Sequence, residues 1–317
     1  MKIVLTGSIA FDYLMTFPGK FQDHILVDKL DCISLSFLVD TLERRPGGNA
    51  ANIAYNLALL GEHPTVMATV GEDFEAQRLW LEDQGVDTSA IRTIPGVATA
   101  SFFVNTDQSN AQIASFFTGA MAYASELTFA QLPEKPDLVV ISPNDPLAMA
   151  NYARECRDLE IPYIYDPSQQ IVRLDEADIQ AGIEGAMAFF ANEYEFSLIE
   201  DKIGFDLQKM LECCQFVVIT HGEHGSQIHG AEGEVFVPIV PPDAILDPTG
   251  VGDAFRSGFL KGYAHNLSFE RCGQMGALAA TYCLESDGPQ SHTYDLHEFI
   301  TRFRVHFDDK GDLDQLI

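Results

Sequence analysis

Short apolar runs that each stop at a polar or glycine-rich turn recur along this chain, with helical stretches between them, and this rhythm limits the fold more than any other feature. Ile3 to Leu5 ends at Thr6-Gly7-Ser8, Leu138-Val139-Val140-Ile141 ends at Asn144, and Ile161 to Tyr165 ends at Asp166-Pro167. Ala188-Phe189-Phe190 ends at Asn192, and Phe216 to Ile219 ends at Thr220-His221-Gly222-Glu223-His224-Gly225. Val66 to Val70 is a further run of the same kind. Uninterrupted apolar runs of this length read as strands buried on both faces. Helices are predicted at Asn49 to Leu60, Phe74 to Gln84, around Ala148 to Leu159, Phe269 to Glu285 and Leu296 to Phe307. The alternation predicts an α/β fold: a doubly wound parallel sheet with helices on both faces. In such folds ligands collect beyond the C-terminal ends of the strands, where the polar residues of this chain repeatedly fall.

Some segments lie outside that rhythm. Alternation of Ile33, Leu35, Phe37 and Val39 predicts a half-exposed strand between Asp31 and Asp40. Ala98 to Asn105 and Ala111 to Thr118 read as a hairpin around a polar, turn-rich connection. These strands predict a small β-sheet lid, formed by about 13–46 and 97–120, on a single domain spanning 1–317. Glu234 to Val240 reads as one more strand, and the acidic end from Asp308 as a loosely held tail.

Composition narrows the partners. The formal charge of −28 argues against nucleic acid and anionic membrane surfaces, which call for clustered Lys and Arg. A phosphate-bearing ligand must then be met by local devices such as helix ends and glycine-rich backbone. Six scattered cysteines without a C-x-x-C pair suit reduced thiols. No apolar run reaches membrane-spanning length and no signal-type segment opens the chain, so a cytoplasmic protein is expected.

The strongest local pattern is Asp247-Pro248-Thr249-Gly250-Val251-Gly252-Asp253, followed by a helical run from Ala254 to Tyr263. Glycines let backbone N–H groups approach an anion, and a helix N-terminus adds partial positive charge. Asp253 could accept a proton from an attacking hydroxyl while the amides of Gly250, Val251 and Gly252 hold developing phosphoryl charge. By itself the same stretch reads equally well as a turn with a helix cap. Pro46-Gly47-Gly48 opens a helix on which Asn49, Asn52 and Asn56 share one face, more a recognition surface than a set of caps. Asp12 and Asn144 follow strand ends, where each is a candidate substrate contact or an ordinary loop residue. The pattern G-x-x-x-x-G-K-[ST] is absent, and so is a complete G-x-G-x-x-G. His221, His224 and His229 lack an evident fourth zinc ligand.

Taken together, Gly47-Gly48-Asn49-Ala50-Ala51-Asn52-Ile53-Ala54 and Asp247 to Phe255 resemble the two signatures of the ribokinase-like (PfkB) carbohydrate and nucleoside kinases. Gly7-Ser8 with Asp12, Val70-Gly71-Glu72-Asp73, Asn192-x-x-Glu195 and Thr220-x-Gly222-x-x-Gly225 extend the resemblance over nearly the whole chain. It implies ATP-dependent phosphorylation of a hydroxymethyl group. Asp253 would be the catalytic base and Gly250, Val251 and Gly252 the anion hole. Asp12, Gly48 and Asn52, with Ser8, would meet the substrate, and Thr220, Gly222 and Gly225 the nucleotide. Asn192 and Glu195 would organise Mg²⁺ through water. Pro248 and Val251 depart from the more usual Thr and Ala but leave the backbone amides in place. Asn110-Ala111-Gln112-Ile113, Gly119-Ala120-Met121 and Gly288-Pro289-Gln290-x-His292 resemble the adenosine-kinase-like branch of bacteria and archaea. A nucleoside is therefore the expected acceptor, with a free sugar as the alternative. A catalytically silent nucleoside- or sugar-binding protein is an alternative of another class. Activation by a monovalent cation and a homodimer formed through the lid are left open.

Overall fold

The computed structural model describes residues 1–25, 31, 34–231 and 233–317. Its strands are β1 (Ile3–Thr6), β2 (Ala10–Thr16), β3 (Thr41–Gly47), β4 (Thr65–Val70), β5 (Ile91–Thr93), β6 (Ala100–Thr106) and β7 (Gln112–Phe117). They continue with β8 (Leu138–Ile141), β9 (Tyr163–Tyr165), β10 (Ala188–Asn192), β11 (Phe216–Thr220), β12 (Ser226–Gly230) and β13 (Gly233–Val237). The helices are α1 (Asn49–Leu59), α2 (Glu75–Asp83), α3 (Pro146–Asp158), α4 (Glu176–Ile183), α5 (Glu193–Ile203), α6 (Leu207–Cys213), α7 (Val251–Ala264), α8 (Phe269–Leu284) and α9 (Leu296–His306).

Nine strands form the main sheet in the order β13-β12-β11-β10-β9-β8-β1-β4-β5. From β11 to β5 neighbours run parallel, and β12 and β13 close one edge antiparallel. Side-chain alternation shows that both faces are covered. Ile3 and Leu5 share a buried cluster with Ile53 of α1, Phe259 of α7, Met275 of α8 and Phe299 of α9. Val4 points into a second cluster with Tyr152 of α3, Ile179 of α4, Ile199 of α5 and Met210 of α6. Along β11, Phe216 and Val218 join the first cluster, Val217 and Ile219 the second. Strands clothed on both sides have no polar face, which is why they appear in the sequence as plain apolar runs.

From β1 the strand order grows one way to β4 and β5, and from β8 it grows the other way to β11. The reversal lies between β1 and β8. Just beyond their C-terminal ends the two segments are stitched together by Ser8 N–H donating to Pro143 O at 2.8 Å. A crevice at such a switch point is where open α/β sheets bind ligands. Above it stands a separate four-stranded sheet in the order β3-β2-β6-β7.

Several expectations need correction. The strand predicted from Asp31 to Asp40 is not present at 34–40; the strand that pairs with β2 is β3, immediately after it. Phe37 packs edge-on against Phe17 and Phe21, so its apolar character serves an aromatic cluster and not a sheet. Ile33, part of that prediction, and Cys32 lie outside the described residues. Asp12 sits within a strand, β2, and not in a loop after β1. Another strand, β12, follows the glycine turn at 222–225. The end of the chain is anchored: Leu313 and Leu316 are buried, and Arg271 donates to Asp308 O and to Asp312. Among the described residues no helix is long and apolar enough to cross a membrane.

Candidate active site

Helix α7 begins where its local sequence forces it to. Gly250, its N-cap, has φ +77°, and a Cβ there would lie 2.4 Å from Pro289 Cβ, so both backbone and space require glycine. Asp247 accepts the Thr249 N–H at 2.8 Å and rigidifies the preceding turn. The helix then starts at Val251, three residues before the run predicted from Ala254, and Asp253 falls in its first turn. Early helical N–H groups have no partner within the helix, which suits them to an anion. The Val251 N–H is partly engaged, in a long 3.4 Å bond to Pro248 O.

Asp253 is only 6% exposed. Its Oδ1 accepts from Asn49 Nδ2 at 3.0 Å and its Oδ2 from Asn52 Nδ2 at 2.8 Å. Both amides come from the start of α1, brought there by a sharp entry: Gly48 has φ +94°, and a Cβ on it would lie 2.5 Å from Ser8 O. Ser8 in turn accepts the Asn49 N–H at 3.2 Å. Gln290 donates to Asn52 Oδ1 at 2.8 Å, which turns the Asn52 amide nitrogen toward Asp253. Burial raises the Asp253 pKa; Arg256 and the two amides oppose the rise, and Glu195 adds to it. A buried carboxylate with donors on both oxygens and a raised pKa is equipped to take up a proton.

Asp253 opens into a cavity of about 430 Å³ at the switch point. Ser8, Asp12, Gly48 and Asn52 line it together with Asp253. The pKa of Asp12 is pushed up to about 6 by burial and by the Asp247 carboxylate, against the pull of Arg45. Arg45 reaches from β3 to Asp287 at 2.8 and 3.0 Å and to Asp247 at 3.3 Å, tying the small sheet to the turn before α7. Phe102, Phe116 and Met121 make an apolar wall, and Gln169, Gln170 and Arg173 a polar one. Asn144 does not line the cavity. It lies behind it, accepting the Asp145 N–H on its side chain at 2.8 Å and holding Gln170 by its carbonyl at 2.7 Å.

The remaining candidates gather farther along the same sheet edge. Asn192 and Thr220 end adjacent parallel strands in register. Asn192 caps α5, accepting the Glu195 N–H at 2.8 Å, while Glu195 accepts the Asn192 N–H at 2.8 Å. The other oxygen of Glu195 accepts from Ser168 at 2.9 Å. Gly222 (φ +56°) and Gly225 (φ +93°) bound the turn after β11; a Cβ at Gly225 would lie 2.3 Å from Val237 O, whereas Gly222 faces open space. None of these five lines the cavity around Asp253.

Sequence reasoning did not find Gln169, Gln170, Arg173 or the role of Arg256. The first three follow Asp166-Pro167 at the end of a buried strand, a position that could have flagged them. Nothing local marks Arg256, whose partner is distant in sequence.

The chain is similar to a nucleoside kinase of Methanothermobacter thermautotrophicus, 27% identical over 305 residues that cover 95% of each chain. The structure of a Burkholderia thailandensis nucleoside kinase in complex with inosine is 33% identical, with a TM-score of 0.86 over 96% of this chain and 98% of that one. The nucleoside kinase of Methanocaldococcus jannaschii, an archaeal member of the ribokinase family, superposes with a TM-score of 0.86 at 25% identity, covering 96% and 99%. Residues 20–295 match the pfkB carbohydrate kinases, and the chain belongs to that family of phosphotransferases with an alcohol group as acceptor.

Proposed function

We propose that the protein is an ATP-dependent nucleoside kinase that phosphorylates the 5′-hydroxyl of a ribonucleoside by direct in-line transfer. One observation carries the reading: a buried carboxylate, gripped by two asparagine amides at a helix start, opens into a cavity lined by the polar side chains of Asp12 and Asn52 and the apolar ones of Phe102, Phe116 and Met121. In this reading Asp12, Gly48 and Asn52 hold the ribose hydroxyls, with Ser8 beside them. Phe102, Phe116 and Met121 cover the base, a surface that a free pentose does not need. The inosine complex of the B. thailandensis relative supports a nucleoside acceptor.

Asp253 takes the proton of the 5′-hydroxyl as that oxygen attacks the γ-phosphorus of ATP, the bond from that phosphorus to the β,γ-bridging oxygen breaks, and ADP leaves with the bond's electron pair. The amides at Gly250, Val251 and Gly252 steady the transferring group. Thr220, Gly222 and Gly225 receive the nucleotide, and the small sheet, as a lid over a single domain, keeps water out. The Asn192 and Glu195 pair suits Mg²⁺ that keeps its waters: each Glu195 oxygen accepts one protein donor and retains a lone pair. Among the described residues no cluster of three or more His, Cys, Asp or Glu could hold a metal by itself, in keeping with an ion shared with substrate phosphates. Bound there, Mg²⁺ would neutralise phosphate charge. The setting we assign is the cytoplasm.

The test is a coupled ADP-release assay with Mg·ATP against adenosine, inosine, cytidine, ribose and fructose. Turnover on nucleosides is expected. Turnover confined to a free sugar would keep the chemistry and overturn the acceptor, and nucleoside binding without turnover on any acceptor would overturn the enzyme.

A further inference from the structure

Behind the cavity, and not lining it, lies a buried ion pair between Arg256 of α7 and Asp166 at the end of β9. Arg256 Nη2 donates to Asp166 Oδ1 at 2.7 Å and Nε donates to Oδ2, a two-point grip. Its remaining nitrogen, Nη1, donates to the Gly252 carbonyl at 2.9 Å, within the turn that bears Asp253. Asp166 is itself fixed by its N–H donating to Ile141 O at 2.9 Å. It is followed by Ser168, at φ +41°, and then by Gln169, Gln170 and Arg173 of the polar cavity wall. Arg256 therefore joins two walls contributed by chain segments 90 residues apart.

A buried ion pair is costly to assemble, and apolar replacements of similar volume often give equal or greater stability. Its presence here, beside a buried carboxylate that among the described residues has no cation of its own in hydrogen-bond contact, calls for a role other than stability. We propose that the Arg256–Asp166 pair is a positioning device: it holds the first turn of α7 and the glutamine-bearing turn 167–173 in one arrangement, and places a fixed positive charge behind Asp253. The proposal rests on the reading of Asp253 as the base.

The charges around Asp253 define what the pair does. Arg256 on its own helix favours the carboxylate, whereas Glu195 of α5 disfavours it. Asp166 and the Cys283 thiol of α8 also sense its charge. Asp12 and Arg173 share the cavity with it, and α1 contributes only the neutral Asn49 and Asn52. Removing the guanidinium leaves the carboxylate facing carboxylates and burial. Removing the Asp166 charge leaves the guanidinium unneutralised. The two changes therefore act on Asp253 in opposite directions.

The experiment measures kcat/KM for inosine against pH at saturating Mg·ATP in wild type, Arg256→Met, Arg256→Lys and Asp166→Asn, with Asp253→Asn as reference and thermal unfolding as the check on folding. Arg256→Met should move the acid limb of the profile to higher pH by about one unit, a tenfold loss at a fixed pH on that limb. Asp166→Asn should move it to lower pH. Arg256→Lys should keep the limb near the wild-type position but raise KM, since an ammonium holds the charge without the planar two-point grip. A purely structural role would lower kcat in all variants with the limb unmoved, and that result overturns the proposal, as do shifts of the same sign. If Arg256→Met does not fold, the direction of the Asp166→Asn shift decides alone. Turnover near wild type in Asp253→Asn overturns the base assignment, a failure separable from an unmoved limb when that variant is inactive.

Discussion

Replacing Asp253 by Asn tests the centre of this mechanism, and the structure sets the size of each effect. The two side chains have nearly the same shape, so the cavity keeps its form and a nucleoside should bind with a KM within a few-fold of wild type. What is lost is the proton acceptor, expected to lower kcat by ~10²–10⁴, or about 3–5 kcal/mol of barrier. Stability should change little. One of the two bonds now made to Asn49 and Asn52, at 3.0 and 2.8 Å, becomes a contact between two N–H groups, costing about 1–3 kcal/mol. Against this, a buried charge disappears. Burial raises the pKa of Asp253, so its protonated form favours folding, and that contribution is lost as pH rises through the folded-state pKa. The variant cannot ionise and should show a flatter dependence of unfolding free energy on pH between acid and neutral. Single-turnover ADP release with inosine measures the chemistry, calorimetric titration the binding, and urea unfolding at several pH values the stability. A kcat within tenfold of wild type, with binding intact, would refute the assignment of Asp253 as base.

Asp12 carries a second pH signature. Its pKa is pushed from 3.8 to about 6, so ionisation at pH 7 opposes folding by about 3 kcal/mol, and stability falls as pH rises through 6. Asp12→Asn should therefore unfold at higher urea concentration at pH 7 while its KM for nucleoside rises roughly 10- to 100-fold, as one carboxylate holding two hydroxyls is replaced by an amide. An unchanged KM would remove Asp12 from ribose recognition. At Gly48 an added Cβ would meet backbone atoms of Ser8, Ile9 and Ala10 at 2.5–2.8 Å. Gly48→Ala should thus cost at least about 3 kcal/mol and abolish activity, whereas Gly222→Ala, at φ +56° in open space, should cost about 1–2 kcal/mol; equal losses in chemical denaturation would contradict this. Deleting 308–317 uncovers Leu313 and Leu316 and should cost roughly 3–5 kcal/mol, read as a lower unfolding midpoint.

Much of the main sheet was legible because each core strand is buried on both faces and thus appears as an unbroken apolar run. β1, β4, β8, β10 and β11 lie where such runs predict. The small sheet was harder. β2 carries Asp12, Tyr13 and Thr16, and β3 carries Glu43, Arg44 and Arg45; neither has the pattern of a covered strand, because pairing with neighbours and not burial holds them. The alternation at 33–39 was misleading for the converse reason, since an apolar residue such as Phe37 can satisfy itself in an aromatic cluster. Similarly, an acidic composition hid the anchoring of the last ten residues, where Leu313 and Leu316 supply the apolar burial and Asp309 is buried against Arg304.

Asp253, its glycine-rich turn and the asparagines of α1 could be read from residue type and spacing alone, because a turn geometry and a helix start are local properties of the chain. Tertiary structure decided which of those asparagines face Asp253: Asn49 and Asn52 do, whereas the side-chain oxygen of Asn56 instead accepts from His292 Nε2 at 2.7 Å. It also decided that Gln169, Gln170 and Arg173 meet Asp12 across one cavity, and that Arg256 closes on Asp166 beneath them. These contacts join segments tens to hundreds of residues apart, set by the order in which strands enter the sheet, and no local pattern of side chains encodes that order.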